Sequence, residues 1–263
     1  MDLGLKGKRA LVTGASRGLG YATARGLACE GVRVVLNSRD PGKLAKTAAA
    51  LQEETGSEVI ACAGDVTDPA VPGQLVDATV QALGGLDLLV TNAGGPPPGK
   101  FESFDDAIWQ KAIELSLLSH VRLVRSALPY LRQSPSASVL AITSYSVKQP
   151  IPNLVLSNSI RLATVGLIKS LALELGSAGI RFNSILPAWT DTERVQELMA
   201  ARAKANLTTV EEEMRKQAQD SPLGRIGKPA EFANAAVFLL SPAASYITGV
   251  MLSVDGGMYK GTL

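Results

Sequence analysis

Short runs of consecutive apolar residues alternate along the chain with longer stretches whose apolar positions recur every three or four residues. The runs predict strands over 10–13, 32–37, 58–63, 86–92, 138–143, 180–186 and 250–254. The periodic stretches predict helices near 19–30, 42–54, 71–83, 105–132, 156–175 and 230–240. Strands that are apolar at nearly every position are buried on both faces, and the intervening helices supply the cover. The expectation is an α/β protein, one doubly wound domain over 1–263 with seven parallel strands and helices on both faces. In such sheets ligands bind at the carboxyl ends of the strands.

Two segments break the alternation. Gly94-Gly95-Pro96-Pro97-Pro98-Gly99 is a stiff, turn-rich loop past the fourth strand. Residues 191–220 form a polar insertion with helical character, rich in Glu, Arg and Lys. Its place at the ligand edge suggests a substrate lid, and a solvated helical hairpin is the plainer reading.

Composition narrows the classes. The 263 residues suffice to bury about three quarters of the unfolded surface. With 46% hydrophobic and 19% charged residues, the chain reads as globular. Its 26 basic and 24 acidic residues nearly cancel, so no global field favours nucleic acid or an anionic membrane. No apolar run approaches the roughly 20 residues needed to span a bilayer. The first strand comes almost at once, without room for a signal peptide, so a cytoplasmic protein is expected. Cys29 and Cys62 lack metal or CxxC spacing and read as buried thiols in a reducing compartment. His120 is the only histidine and reads as a packing or surface residue, so no metal site is expected.

The candidate chemistry begins at Thr13-Gly14-Ala15-Ser16-Arg17-Gly18-Leu19-Gly20, between the first strand and first helix. Glycines there let the backbone approach a pyrophosphate, whose charge meets the amides of the helix N-terminus. The second strand ends Leu36-Asn37-Ser38-Arg39, with no carboxylate at its tip to accept ribose hydroxyls or repel a 2′-phosphate. Ser38 and Arg39 can donate to that phosphate, and Arg17 offers a second cation, which favours NADP(H) over NAD(H). Asp40, before Pro41, stands too late for the NAD role and fits a helix cap.

Asp65-Val66, Asn92-Ala93-Gly94, Pro187-Ala188-Trp189-Thr190-Asp191-Thr192, Pro222-Leu223-Gly224-Arg225, Ile247-Thr248-Gly249 and Val254-Asp255-Gly256-Gly257 follow in order. With the TGxxxGxG spacing and the run from Ser144 to Arg161, this pattern resembles the short-chain dehydrogenase/reductase family over nearly the whole chain. Its overall pattern is most similar to the 3-oxoacyl-[acyl-carrier-protein] reductases. The resemblance implies a Rossmann-type fold and a homotetramer, with helices 105–132 and 156–175 at one interface. It implies dinucleotide contacts from Gly14, Ser16, Arg17, Gly18, Leu19, Gly20, Ser38 and Arg39. Asp65 and Val66 would meet the adenine, and Asn92, Ala93, Gly94, Arg161, Pro187, Thr190 and Thr192 the remainder, with Thr192 at the carboxamide.

Against the family's reaction pattern the chain departs at three of four positions. Ser144 matches the serine that binds the substrate oxygen. Ser116 stands for the asparagine, Ser157 for the tyrosine that passes the proton, and Arg161 for the lysine. Arginine keeps a positive field but cannot shuttle protons, and serine is a far weaker acid than tyrosine. The resemblance therefore implies an NADP(H)-dependent oxidoreductase acting on a small carbonyl compound through an altered relay of Ser144, Ser157, Arg161 and Ser116, with water carrying the proton. The alternative is a non-catalytic dinucleotide-binding or regulatory protein on the same fold. Haloalcohol dehalogenases also resemble this fold and carry arginine at the lysine position, but they keep the tyrosine and lose the glycine loop.

Tyr145 and Lys148 form a Tyr-x-x-Lys run beside Ser144; extended backbone would point them to opposite sides, which favours a loop tyrosine lining or flanking the pocket and leaves Tyr145 a second-rank proton-donor candidate. Trp189 packs over substrate or in the lid core. With Pro96–Pro98, Pro150–Pro152 and Leu156, the pocket wall reads as apolar and suited to a medium-sized carbonyl compound without heavy charge.

Overall fold

The computed structural model describes residues 2–262. Its strands are β1 (Arg9–Val12), β2 (Arg33–Ser38), β3 (Val59–Ala63), β4 (Leu88–Thr91), β5 (Ser138–Ile142), β6 (Arg181–Pro187) and β7 (Met251–Val254). All pair in parallel in the order β3-β2-β1-β4-β5-β6-β7. The order reverses between β1 and β4, and a crevice opens there at the carboxyl ends of the strands. The expected seven-stranded doubly wound sheet is present.

Alternate strand residues feed two cores. Ala10, Val12, Val34, Leu36, Leu88 and Val90 pack with α1 (Gly18–Cys29), α2 (Pro41–Thr55) and α9 (Pro229–Leu240). Leu11, Val35, Leu89, Val139 and Ala141 face the other way, onto α3 (Val71–Leu83), α5 (Ser119–Leu131) and α6 (Val155–Leu175). Each fully buried leucine or phenylalanine contributes about 1.5–3 kcal/mol, which is why strand positions are apolar in both registers.

Predicted boundaries fall within one or two residues of most observed elements. The stretch 105–132 does not form the single α-helix expected. It is α4 (Asp106–Ile113), a five-residue π segment over Glu114–Leu118, and α5. Such a wide turn displaces the backbone hydrogen-bond ladder and is frequent at functional sites. The insertion 191–220 folds as α7 (Glu193–Asn206) and α8 (Val210–Gln219). Thr192 caps the first and a reciprocal Thr209/Glu212 capping box starts the second.

Cys29 corrects the expectation of two buried thiols: it ends α1 on an exposed turn, while Cys62 is half-buried and burial raises its thiol pKa. Among the described residues no helix is long and apolar enough to cross a membrane.

Candidate active site

A cavity of about 910 Å³ runs along the carboxyl edge of the sheet. At one end the glycine loop is latched to β4. Asn92 Nδ2 donates to the carbonyls of Thr13 at 3.3 Å and Gly14 at 3.1 Å. Thr13 Oγ1 donates to the Asn92 carbonyl at 2.7 Å and accepts from its amide at 2.9 Å. Gly14 has φ of +59°, and a Cβ there would stand 2.7 Å from Asn92 Nδ2. Asn92 is therefore a scaffold for the loop as well as a cavity residue.

The α1 N-terminus carries no side-chain cap at Arg17, so its first amides are left for an anion. Gly14, Ser16, Arg17, Gly18 and Leu19 all line the cavity, whereas Gly20 lies beneath it against the Gly14 carbonyl. Asp65, Val66, Ala93 and Gly94 line the same side. The Ser38 hydroxyl is buried without a partner, and Arg39 beside it is exposed and makes no ion pair among the described residues. Asp40 caps α2 as expected, accepting from the Lys43 amide at 3.0 Å. Lys43, which sequence reasoning missed, also lines the cavity; its signal is its place in the first turn of α2. Arg17 is not a free second cation, because Glu197 of α7 holds its guanidinium at 2.9 Å. Uncapped amides, an orphaned hydroxyl and a glycine cradle together fit a nicotinamide dinucleotide.

At the other end Ser144 follows β5 with extended backbone, lines the cavity and accepts from the Ser146 amide at 3.2 Å. Residues Tyr145–Val147 form one 3-10 turn, correcting the extended geometry expected there. Tyr145 lines the cavity, and burial raises its hydroxyl pKa. Lys148 does not assist it: its ammonium sits 5.2 Å from the Tyr259 ring centroid.

Ser157, in the first turn of α6, faces the cavity with no side-chain hydrogen bond among the described residues. One turn on, Arg161 Nη1 donates to the carbonyls of Thr143 at 3.1 Å and Ile142 at 3.4 Å. The end of β5 thus fixes this guanidinium next to Ser144. Burial, and then the charge of Arg194, lowers the Arg161 pKa to about 10, so it stays cationic at neutral pH. Ser116 departs from expectation: its hydroxyl is buried and unpartnered, and Leu115 lines the cavity instead. The Ser116 carbonyl, within the π segment, accepts from Thr164 Oγ1.

Pro187, Thr190 and Thr192 line the wall after β6. Thr192 Oγ1 accepts from the Val195 amide at 3.4 Å, so the hydroxyl expected at a carboxamide serves as a cap. Trp189 lines the cavity and packs with Val195, Met199 and Met258, and Arg202 covers its ring at 5.0 Å. Of the expected apolar wall, Pro96 and Ile151 line the cavity, joined by Leu154 and Leu115. Pro97, Pro98, Pro150, Pro152 and Leu156 do not line it.

His120 is buried, with Nδ1 2.7 Å from Thr91 Oγ1. Burial, and then the Arg161 charge, lowers its pKa to about 3. A depressed histidine pKa means the unfolded chain binds a proton that the folded one refuses. Stability contributed by neutral His120 is therefore full above about pH 6.5 and falls by about 1.4 kcal/mol per pH unit below it, toward pH 3. Because the chain has one histidine, its ring resonance is unambiguous. It is expected to stay constant from pH 8 to 5; a midpoint near 6.5 would overturn the buried, neutral assignment.

Comparisons with known proteins agree with this geometry. The family profile described as enoyl-(acyl carrier protein) reductase matches residues 14–259. The 7α-hydroxysteroid dehydrogenase of Escherichia coli K12 is 32% identical over 256 residues, covering 97% of this chain and 96% of the relative. The L-sorbose reductase of Gluconobacter frateurii, solved with NADPH and L-sorbose, superposes with a TM-score of 0.95 at 33% identity, covering 99% and 100% of the two chains. An NADPH-bound short-chain oxidoreductase of Pseudomonas aeruginosa PAO1 containing an atypical catalytic centre gives a TM-score of 0.86 at 32% identity, covering 97% and 98%. The chain belongs to the short-chain dehydrogenase/reductase family, a family of nicotinamide-dependent oxidoreductases.

Proposed function

We propose that the chain reduces a carbonyl compound with NADPH, as a 3-oxoacyl-[acyl-carrier-protein] reductase-like enzyme with Ser144, Ser157 and Arg161 at its reacting end. The observation that carries the reading is the Arg161 guanidinium, anchored on the Thr143 carbonyl beside Ser144 at the cavity floor. When bound, the dinucleotide supplies hydride to the carbonyl carbon. Ser144 Oγ donates to the carbonyl oxygen, and Arg161 stabilises the negative charge that develops there, an effect of about 10²–10³ in rate for one well-placed donor. Arg161 keeps its own proton. The proton reaching the oxygen comes from water held by Ser157 and Ser144, and losing a direct tyrosine acid costs about 10²–10⁴. Ser116 supports this end only through its backbone carbonyl, which accepts from Thr164 Oγ1.

NADPH is favoured by the partnerless Ser38 hydroxyl, with Arg39 and Lys43 as cations around a 2′-phosphate. The α7–α8 pair acts as the lid, tied to the glycine loop through Arg17 and Glu197. A homotetramer is supported by α6, which leaves Leu162 and Leu173 exposed at 51% and 77%.

The test is NADPH oxidation with a panel of 3-oxoacyl esters, diketones and quinones, beside NADPH binding by fluorescence quenching. Turnover of at least one class is expected. Tight NADPH binding with no turnover would return the chain to the non-catalytic reading, and binding of neither dinucleotide would sink both. In the same assay Arg39→Ser is expected to weaken NADPH about 10–100-fold and leave NADH unchanged, the size of one charged hydrogen bond. Equal losses for both dinucleotides would remove the 2′-phosphate role.

A further inference from the structure

Where α7 meets the glycine loop, the Glu197 carboxylate stands among the cations Arg17, Arg194 and Lys43. Glu197 Oε1 accepts from Arg17 Nη1 at 2.9 Å, and Oε2 lies 3.9 Å from Arg194 Nη1. Lys43 approaches from α2. Thr47, one turn further along that helix, donates to the Ser16 carbonyl at 3.5 Å, so the face that carries Lys43 looks onto the glycine loop. The hydrogen bond from Arg17, then its charge, and then Arg194 and Lys43 hold the Glu197 carboxyl below the usual carboxylate range. A second contact joins the same elements. A Cβ on Gly18 would stand 3.9 Å from Thr192, the cap of α7, so the start of the helix rests over the loop.

Arg17, Ser38, Arg39 and Lys43 all line the cavity. Arg39 and Lys43 make no ion pair among the described residues, whereas Arg17 carries Glu197. A 2′-phosphate held by Ser38, Arg39 and Lys43 would bring roughly two negative charges into the cluster that already holds this carboxylate. Two anions then face one guanidinium. The phosphate is the more highly charged and suits the guanidinium fork. The ion pair it meets is exposed at 45% and 50% on its two sides and is weak by itself. Resting on the NADPH reading above, we propose that Glu197 is a specificity-determining residue for the cofactor: its carboxylate competes with the 2′-phosphate for Arg17, so NADPH loosens α7 from the glycine loop and NADH does not. Breaking the pair burdens NADPH alone. The preference for NADPH is therefore smaller than Ser38, Arg39 and Lys43 would give without Glu197.

The experiment titrates NADPH and NADH against Glu197→Gln, which keeps the size of the side chain and removes its charge. NADPH is expected to bind about 3–5-fold more tightly than to the unaltered chain, the scale of one exposed ion pair, with NADH unchanged. In an Arg17→Gln background the same substitution should bring no NADPH gain, because the contested cation is gone. Movement of α7 is read from Trp189, which packs on Val195 and Met199 of that helix, in a Trp109→Phe background that leaves it the only tryptophan. Adenosine 2′,5′-bisphosphate, which carries the phosphate without the nicotinamide, should change its emission, and 5′-AMP should not. No NADPH gain, equal gains for both dinucleotides, or a gain that persists without Arg17 would overturn the proposal, and so would identical emission with the two nucleotides. Arg39→Ser reports on the NADPH reading separately. If it is selective for NADPH and Glu197→Gln is not, this inference fails and that reading stands. If it costs both dinucleotides equally, the 2′-phosphate site falls and this inference with it.

Discussion

Replacing Gly20 by alanine abolishes dinucleotide binding, with an expected loss of at least about 100-fold in NADPH affinity. The added Cβ would collide with the Gly14 carbonyl oxygen and stand 2.7 Å from Asn92 Nδ2. Both neighbours belong to the latch between the glycine loop and β4, and one is backbone that no rotamer change can clear. Overpacking of this kind costs about 1–3 kcal/mol, and the loop is the part free to yield. It would yield toward the cavity, where the pyrophosphate belongs. The measurement is NADPH fluorescence titration beside a melting curve. Wild-type affinity in Gly20→Ala would mean that the loop does not set the cofactor site.

Such close contacts explain how much could be read from residues alone. The sheet was legible because buried parallel strands leave near-continuous apolar runs, and β2 or β5 can be found by eye. The glycine loop was legible because its spacing has one physical use between a strand and a helix. The π segment at Ser116 was not, since a five-residue widening leaves 105–132 with an unbroken helical pattern. Arg17 illustrates a second limit. Its partner Glu197 lies 180 residues away in α7, a pairing that only the folded chain declares. Arg194 and Lys43 were missed for the same reason: surface-type residues acquire meaning from the cavity they face. Thr192 shows a third limit, because a threonine before a helix satisfies a capping rule as readily as a ligand contact.

Restoring tyrosine and lysine in the double variant Ser157→Tyr, Arg161→Lys is expected to raise turnover of an uncharged carbonyl substrate by about 10²–10⁴. Position 157 already faces the cavity from the first turn of α6, so a longer side chain projects toward Ser144 without disturbing the core. The hydroxyl then reaches the substrate oxygen directly and replaces the water relay. A cation at position 161, one helical turn on, lowers the tyrosine pKa by its charge, and this is the role left to it once proton transfer is direct. A gain would show that a direct acid at 157 beside a cation at 161 is what the scaffold lacks. No gain would place the obstruction at Ser116, whose hydroxyl lies off the cavity and whose carbonyl is occupied by Thr164. Thr164→Val in the double-variant background frees that carbonyl. If turnover still failed to rise, an altered relay at 157 and 161 could not be what separates this chain from an ordinary carbonyl reductase.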